Sequence, residues 1–164
     1  MATITFKGNP IHTSGDLPAV GSIAPDFTLV RTNLTEAKLS SYQGKKILNI
    51  FPSVDTGVCA KSVRAFHERA ASKPGVIVLN ISADLPFAHG RFCGAEGIAN
   101  AEGLSTFRSD FADRYGVKMV DGPLVGLLSR AVLVVDEENK IIHAEQVPEI
   151  AQEPNYDAAL TAAS

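Results

Sequence analysis

The chain has 164 residues, 45% of them hydrophobic, enough to fill one core and too few for two to be expected, so residues 1–164 read as a single domain. A formal net charge of −3 and the lack of any Lys or Arg run leave no basic face, which argues against nucleic acid as a partner. No apolar stretch approaches the roughly 20 residues of a membrane span, and the N-terminus lacks the pattern of a secretory signal, so a soluble, cytoplasmic protein with no membrane partner is expected.

In chain order, Ile4 and Phe6 alternate with threonines, Lys7 to Pro10 supply turn residues and Ile11 resumes the pattern, which predicts an N-terminal β-hairpin over about residues 1–14. GSIAPDFTLV from Gly21 reads as an extended segment, and Lys46 to Phe51 as a short buried strand that Pro52 stops. Cys59, Val63, Phe66 and Ala70 then recur on one face of a helix that Lys73-Pro74-Gly75 ends, and Val76 to Ile81 is a second buried strand. Strand, helix and strand with short links form a βαβ unit whose right-handed crossover makes the strands parallel, so the fold class is α/β. Beyond it the pattern predicts a helix over Leu104 to Tyr115, a loop around Asp121-Gly122-Pro123, an antiparallel hairpin of Arg130–Asp136 and Lys140–Glu145, and a C-terminal helix from Asn155 through Ala163.

The chain has two cysteines, at 59 and 93, and four histidines, at 12, 67, 89 and 143, with no ligand spacing among them, so no metal is expected. In a reducing cytosol such a cysteine pair is either inert core or redox chemistry. Thr56 is a favoured N-cap residue, which would put Cys59 in the first helical turn, where unpaired backbone N–H groups and the helix dipole favour a thiolate. Packing alone accounts for a cysteine on an apolar helical face equally well, and Thr56 and Pro52 need no more than capping and strand-ending roles. Their conjunction, P-x-x-x-T-x-x-C between a buried strand and a helix, is what points to chemistry.

PSVDTGVC resembles the active-site signature of the peroxiredoxins, GSIAPDFTL is similar to a segment common across them, and ISADLPFAHGRFCGAEG and GPLVGLLSRAVLVVD resemble the bacterial thiol peroxidase group, the atypical two-cysteine branch. The resemblance implies a thioredoxin-like fold, a central mixed β-sheet flanked by helices. It further implies that Cys59 is the peroxidatic nucleophile, that Thr56 donates a hydrogen bond to the peroxide or thiolate, that Pro52 shields the sulfur, that Arg130 holds the thiolate and peroxide oxygens, and that Cys93 is the resolving cysteine. The implied activity is reduction of hydroperoxides, alkyl hydroperoxides above hydrogen peroxide, through a Cys59 sulfenic acid and a Cys59–Cys93 disulfide recycled by thioredoxin, in a homodimer serving antioxidant defence. No cofactor is expected, since the chain has neither G-x-G-x-x-G nor a Walker motif.

A thiol of ordinary pKa about 8.5 is a few per cent ionised at neutral pH, so complete ionisation offers roughly thirtyfold in rate and lower basicity takes part of that back. The remainder requires groups that meet charge developing on the breaking O–O bond, the physical case for Thr56 and Arg130. Because Cys93 lies on another element, both segments are expected to move before the sulfurs bond, and Ala88 to Gly97, with glycines at 90, 94 and 97, has the composition to do so. Two rival readings are a monothiol disulfide exchanger, from the C-x-x-S pattern of Cys59 to Ser62, and a peroxide-responsive redox sensor. His67, His89, Lys61 and Arg91 read as solvated surface, and Arg64 lies on the active-site helix, where similar peroxiredoxins pair an arginine with acidic neighbours or substrate. Departures from the family's pattern, such as Gly103 and the Ala-rich end, bear on local stability.

Overall fold

The computed structural model of the chain describes residues 2–70, 73–96 and 101–164, the side chains at 93–96 and 101 lying outside that description. Strands β1 (Thr3–Phe6) and β2 (Asn9–His12) form the N-terminal hairpin. Its turn is Lys7–Gly8, with φ of 52° and 82°, the doubly left-handed geometry whose twist suits a two-residue hairpin. Asn9 and Pro10, expected in that turn, instead belong to β2, with Pro10 opposite Thr5. A proline is tolerated in a two-stranded ribbon where no second neighbour needs its missing N–H.

The main sheet runs β4-β3-β7-β6-β5-β8-β9, made of β3 (Thr28–Arg31), β4 (Glu36–Lys38), β5 (Lys45–Ile50), β6 (Val76–Ser82), β7 (Ala101–Ser105), β8 (Ala131–Val135) and β9 (Ile141–Gln146). Helix α1 (Gly57–Ala70) links β5 to β6, which pair in parallel from Lys45↔Val76 to Ile50↔Ile81, the expected βαβ unit. β8 pairs antiparallel on the other side of β5 and turns back into β9, the expected second hairpin. Helix α2 (Pro86–Glu96), opening on a proline that the first helical turn accepts, follows β6, and α3 is Phe111–Arg114. Helix α4 (Tyr156–Ala162) matches the expected C-terminal helix, and the Asn155 side chain caps it by accepting from the Ala158 N–H at 3.1 Å.

Alternation along β5 sends successive side chains to opposite faces. Ile47 packs with Phe66 and Ala70 of α1 and Ala159 and Leu160 of α4, while Leu48 and Ile50 pack with Phe27, Phe111 and Tyr115. The sheet is thereby mixed and covered on both faces, as expected. A smaller core of Ile4, Ile11, Met119 and Ile150 seats the hairpin.

The helix expected over Leu104 to Tyr115 is a correction. Leu104 lies in β7, parallel to β6 and paired with β3, and helix forms only at Phe111–Arg114. The apparent helical spacing fails at Phe107, which is exposed, while Leu104 is buried between neighbouring strands. Short β4 and β7 carry too little alternation to declare themselves without their partners.

Gly44 enters β5 at φ +78°, and a Cβ there would stand 2.5 Å from the Gly75 carbonyl oxygen, which itself accepts from the Lys45 N–H at 3.0 Å. Gly44→Ala combines left-handed strain with a backbone clash and is expected to lower unfolding free energy by roughly 2–4 kcal/mol, read as the shift in urea midpoint at constant m-value. Among the described residues no helix is long and apolar enough to cross a membrane.

Candidate active site

β5 delivers the chain to the site. Phe51 still donates to the Ile81 carbonyl at 3.1 Å, but Pro52 cannot continue the ladder and the backbone turns out of the sheet over residues 52–56. The Thr56 carbonyl accepts from the Ala60 N–H at 3.0 Å, the first helical bond, so Thr56 occupies the N-cap position and Cys59 is the third residue of α1. Cys59 carries a free thiol with no exposed surface. Phe51, Val54 and Val63 surround it, and Ala88 and Phe92 of α2 close the cluster.

Arg130 precedes β8, whose Ala131 sits opposite Ile50, so the strand order brings a residue 71 positions distant to the end of β5 where Cys59 is held. Arg130 is 1% exposed. Nε donates to the Ile150 carbonyl at 2.8 Å and Nη2 donates to Cys59 Sγ at 3.0 Å. Among the described residues Nη1 is buried without a hydrogen-bond partner. A buried guanidinium is costly unless it meets negative charge, and the sulfur is the group it addresses.

The loop before α1 is fastened from the other side. Asp84, just past β6, accepts from Ser53 Oγ at 2.7 Å through Oδ1 and from the Val54 N–H at 2.8 Å through Oδ2. Ser82 Oγ donates to the same Oδ2 at 2.5 Å. Asp84→Ala would leave Ser53, Val54 and Ser82 short of an acceptor at roughly 1–3 kcal/mol for each group that water cannot reach. The expected result is a stability loss of about 2–4 kcal/mol together with slower oxidation of Cys59, because the loop that positions it is freed; thermal melting and the first-turnover rate check both.

The redoxin family pattern matches residues 19–160. The chain belongs to the redoxin family. Its relatives within that family include a thiol peroxidase of Mycobacterium tuberculosis, 56% identical with 99% of this chain and 98% of that protein covered. A thiol peroxidase of Corynebacterium glutamicum is 55% identical with 99% of each covered. Among solved structures, a peroxiredoxin-like protein from Aquifex aeolicus superposes with a TM-score of 0.92 at 38% identity, covering 98% of this chain and 95% of that one. These place the chain among the thiol peroxidases.

Of the residues singled out in the sequence of this redoxin, Arg130 is hydrogen-bonded to the Cys59 sulfur, and Pro52 and Thr56 lie in the segment between β5 and α1 that leads to Cys59. Pro52 is buried, and Thr56 is exposed, with Oγ1 donating to the Ser53 carbonyl at 3.2 Å. Cys93 lies in α2, the helix whose Ala88 and Phe92 pack against the Cys59 cluster; its side chain and Gly97 fall outside the described residues. Lys61 and Arg91 are exposed as expected, Arg91 pairing with Asp55 of the active-site loop at 2.5 Å; Arg64 on α1 is exposed, and His67 is half-buried. His89 is a correction: it is 1% exposed, with Nε2 3.0 Å from Ser82 Oγ. Asp84, Ser53, Ser82 and His89 were missed. The signal for Asp84 was an acidic residue directly between a buried strand and a helix-opening proline; for His89 the sequence offers none.

Proposed function

We propose that this redoxin is a thiol-dependent peroxidase in which Cys59 reduces hydroperoxides and Cys93 resolves the product. The observation that carries the reading is the Arg130 guanidinium, which gives one N–H to the Cys59 sulfur and holds a second, Nη1, buried and without a partner among the described residues. A peroxide oxygen reaching the guanidinium beside the sulfur would find that donor already desolvated, a condition that makes electrostatic stabilisation more effective.

The Cys59 thiolate attacks the terminal peroxide oxygen; an S–O bond forms as the O–O bond breaks, and the leaving oxygen takes a proton to become an alcohol, or water from hydrogen peroxide. The sulfur is oxidised to sulfenic acid and the peroxide is reduced. Arg130 opposes the negative charge spreading over sulfur and oxygen, and Pro52 with Phe51 and Val54 keeps bulk water out. Thr56 Oγ1 donates to the Ser53 carbonyl in this state, and in this reading a turn of its side chain frees that hydroxyl to donate to the peroxide. The Cys93 thiolate then attacks the sulfenyl sulfur and expels hydroxide, which leaves as water, forming the Cys59–Cys93 disulfide. A dithiol of thioredoxin type returns two electrons and two protons. The apolar side chains about the sulfur favour organic hydroperoxides over hydrogen peroxide. The same reading makes residues 1–164 one domain acting as a homodimer in the cytoplasm in antioxidant defence, where a reducing thiol pool recycles the disulfide.

Exchange with a protein disulfide is the weaker reading. It requires a sulfur that a partner can reach, whereas Cys59 has no exposed surface, and Ser62 of the C-x-x-S pattern donates to the Cys59 carbonyl at 2.8 Å. Peptide mapping of reduced protein, seconds after one equivalent of an organic hydroperoxide without reductant, is expected to show complete loss of two hydrogens located at a Cys59–Cys93 bridge. Thiols unchanged by peroxide would overturn the peroxidase. A bridge that thioredoxin leaves oxidised would favour a redox sensor.

A further inference from the structure

His89 is a buried, titratable side chain that the proposed reaction does not use, and it belongs to the helix that carries Cys93, four residues before it. Its ring sits in a space that exists because residue 103 has no side chain: a Cβ on Gly103 of β7 would lie 2.7 Å from His89 Nδ1, 2.8 Å from its Cβ and 2.9 Å from its Cγ. Gly103 is therefore the complement of His89 and more than a matter of local stability. At the other side of the ring, Ser82 Oγ gives its one proton to Asp84 Oδ2, so His89 Nε2 must be the donor to Ser82 at 3.0 Å. The chain of contacts then runs from His89 through Ser82 and Asp84 to Ser53 Oγ and the Val54 N–H in the loop before Cys59.

One hydrogen-bonded line thus ties the Cys93 helix to the Cys59 loop, and the same helix covers the Cys59 cluster with Ala88 and Phe92. We propose that His89 is a positioning residue for the disulfide step: seated, it latches α2 over the site while Cys59 reacts, and its release lets α2 unwind so that Cys93 reaches the sulfenic acid. The inference rests on the two-cysteine reading above.

The latch carries its own pH dependence. Burial drives the His89 pKa down to about 4, against the opposing attraction of Asp84. Asp84 is the charged group facing it; Ser82 of β6, Phe51 beyond β5 and Gly103 of β7 are uncharged. On an unwound α2 the imidazole returns to its ordinary value of about 6.5. The seated pKa is the lower one, so the histidine's contribution to the closed state is complete above about pH 6.5 and is lost as pH falls toward about 4. Between pH 7.5 and 5.5 the open population should rise roughly tenfold. Thiolate attack by Cys93 has the opposite trend, since its ionised fraction falls with pH.

The test divides wild type by His89→Gln at each pH, which cancels the thiol chemistry common to both, because glutamine can still donate to Ser82 but does not titrate. The chain has no tryptophan, so rapid quench with a sulfenate trap and mass readout follows sulfenic acid and disulfide separately after one equivalent of tert-butyl hydroperoxide. The expected result is a ratio of disulfide-forming rates that climbs up to tenfold from pH 7.5 to 5.5, with a pH-independent ratio for the first oxidation. A flat ratio for the disulfide step, or equal changes in both steps, overturns the latch. Should His89→Gln fail to fold, Gly103→Ala presses on the histidine from β7 and should accelerate disulfide formation at pH 7.5 without slowing the first oxidation; an unchanged or slower disulfide step overturns the proposal. Absence of any Cys59–Cys93 bridge in the wild type would instead remove the two-cysteine reading, and the latch with it.

Discussion

Cys59→Ser is expected to reduce peroxide consumption to the uncatalysed background, a loss of about five orders of magnitude or more, the scale on which removal of an enzyme's nucleophile acts. Serine is nearly isosteric, but its hydroxyl is not ionised at neutral pH, and the guanidinium that approaches the sulfur at 3.0 Å would address a neutral oxygen. Cys93→Ser should separate the two half-reactions. In the proposed cycle Cys93 acts only once the sulfenic acid has formed, so the first oxidation should proceed at the wild-type rate. The protein should then stop as a sulfenic acid, one added oxygen by mass and fully captured by a sulfenate trap, with turnover on thioredoxin lost. A Cys93→Ser protein that turned over with thioredoxin at the wild-type rate would show that the reductant reaches Cys59 directly and that Cys93 is a packing residue. Hydrogen-peroxide consumption by Cys59→Ser above background would remove the peroxidatic role itself.

The parts of the fold legible in the sequence are those whose instructions are local. β5, α1 and β6 carry long apolar runs of the right period and end at Pro52 and at Lys73-Pro74-Gly75. β4 and β7 are short segments that become strands because β3 and β6 offer them edges, a tertiary decision that no window of residues contains. The site divides in the same way. Cys59 could be placed from the N-cap of its own helix, whereas Arg130 meets it across 71 positions through the pairing of β8 with β5, and only the family resemblance singled it out. His89 shows the limit most clearly. A histidine beside a glycine on a helix reads as surface until the fold lays it against another glycine 14 positions later, and neither residue is informative without the other. Buried polar groups escape sequence reading for a general reason: the partners that make their burial tolerable are supplied by topology.

Arg130→Met is expected to slow the first oxidation of Cys59 by 10²–10³, about 3–4 kcal/mol of transition-state stabilisation. Methionine fills much of the same space and keeps water out, so the loss isolates charge and donor geometry from packing. The folded state should suffer little. Leaving the Ile150 carbonyl without the 2.8 Å bond from Nε costs about 1–3 kcal/mol, but the desolvation of a buried arginine disappears with it, and replacing a buried charge by an apolar side chain is often neutral or stabilising. Arg130→Lys should recover part of the rate. An ammonium can approach the sulfur, but it cannot span the Ile150 carbonyl, the sulfur and the direction of Nη1 at once as the planar guanidinium does. Rapid-quench measurement of sulfenate formation at several peroxide concentrations, beside thermal melting of each variant, separates these effects. A rate loss below threefold in a folded Arg130→Met protein would leave Arg130 as a structural tie between β8 and the segment after β9, and catalysis would have to be sought in Thr56 and the start of α1 alone.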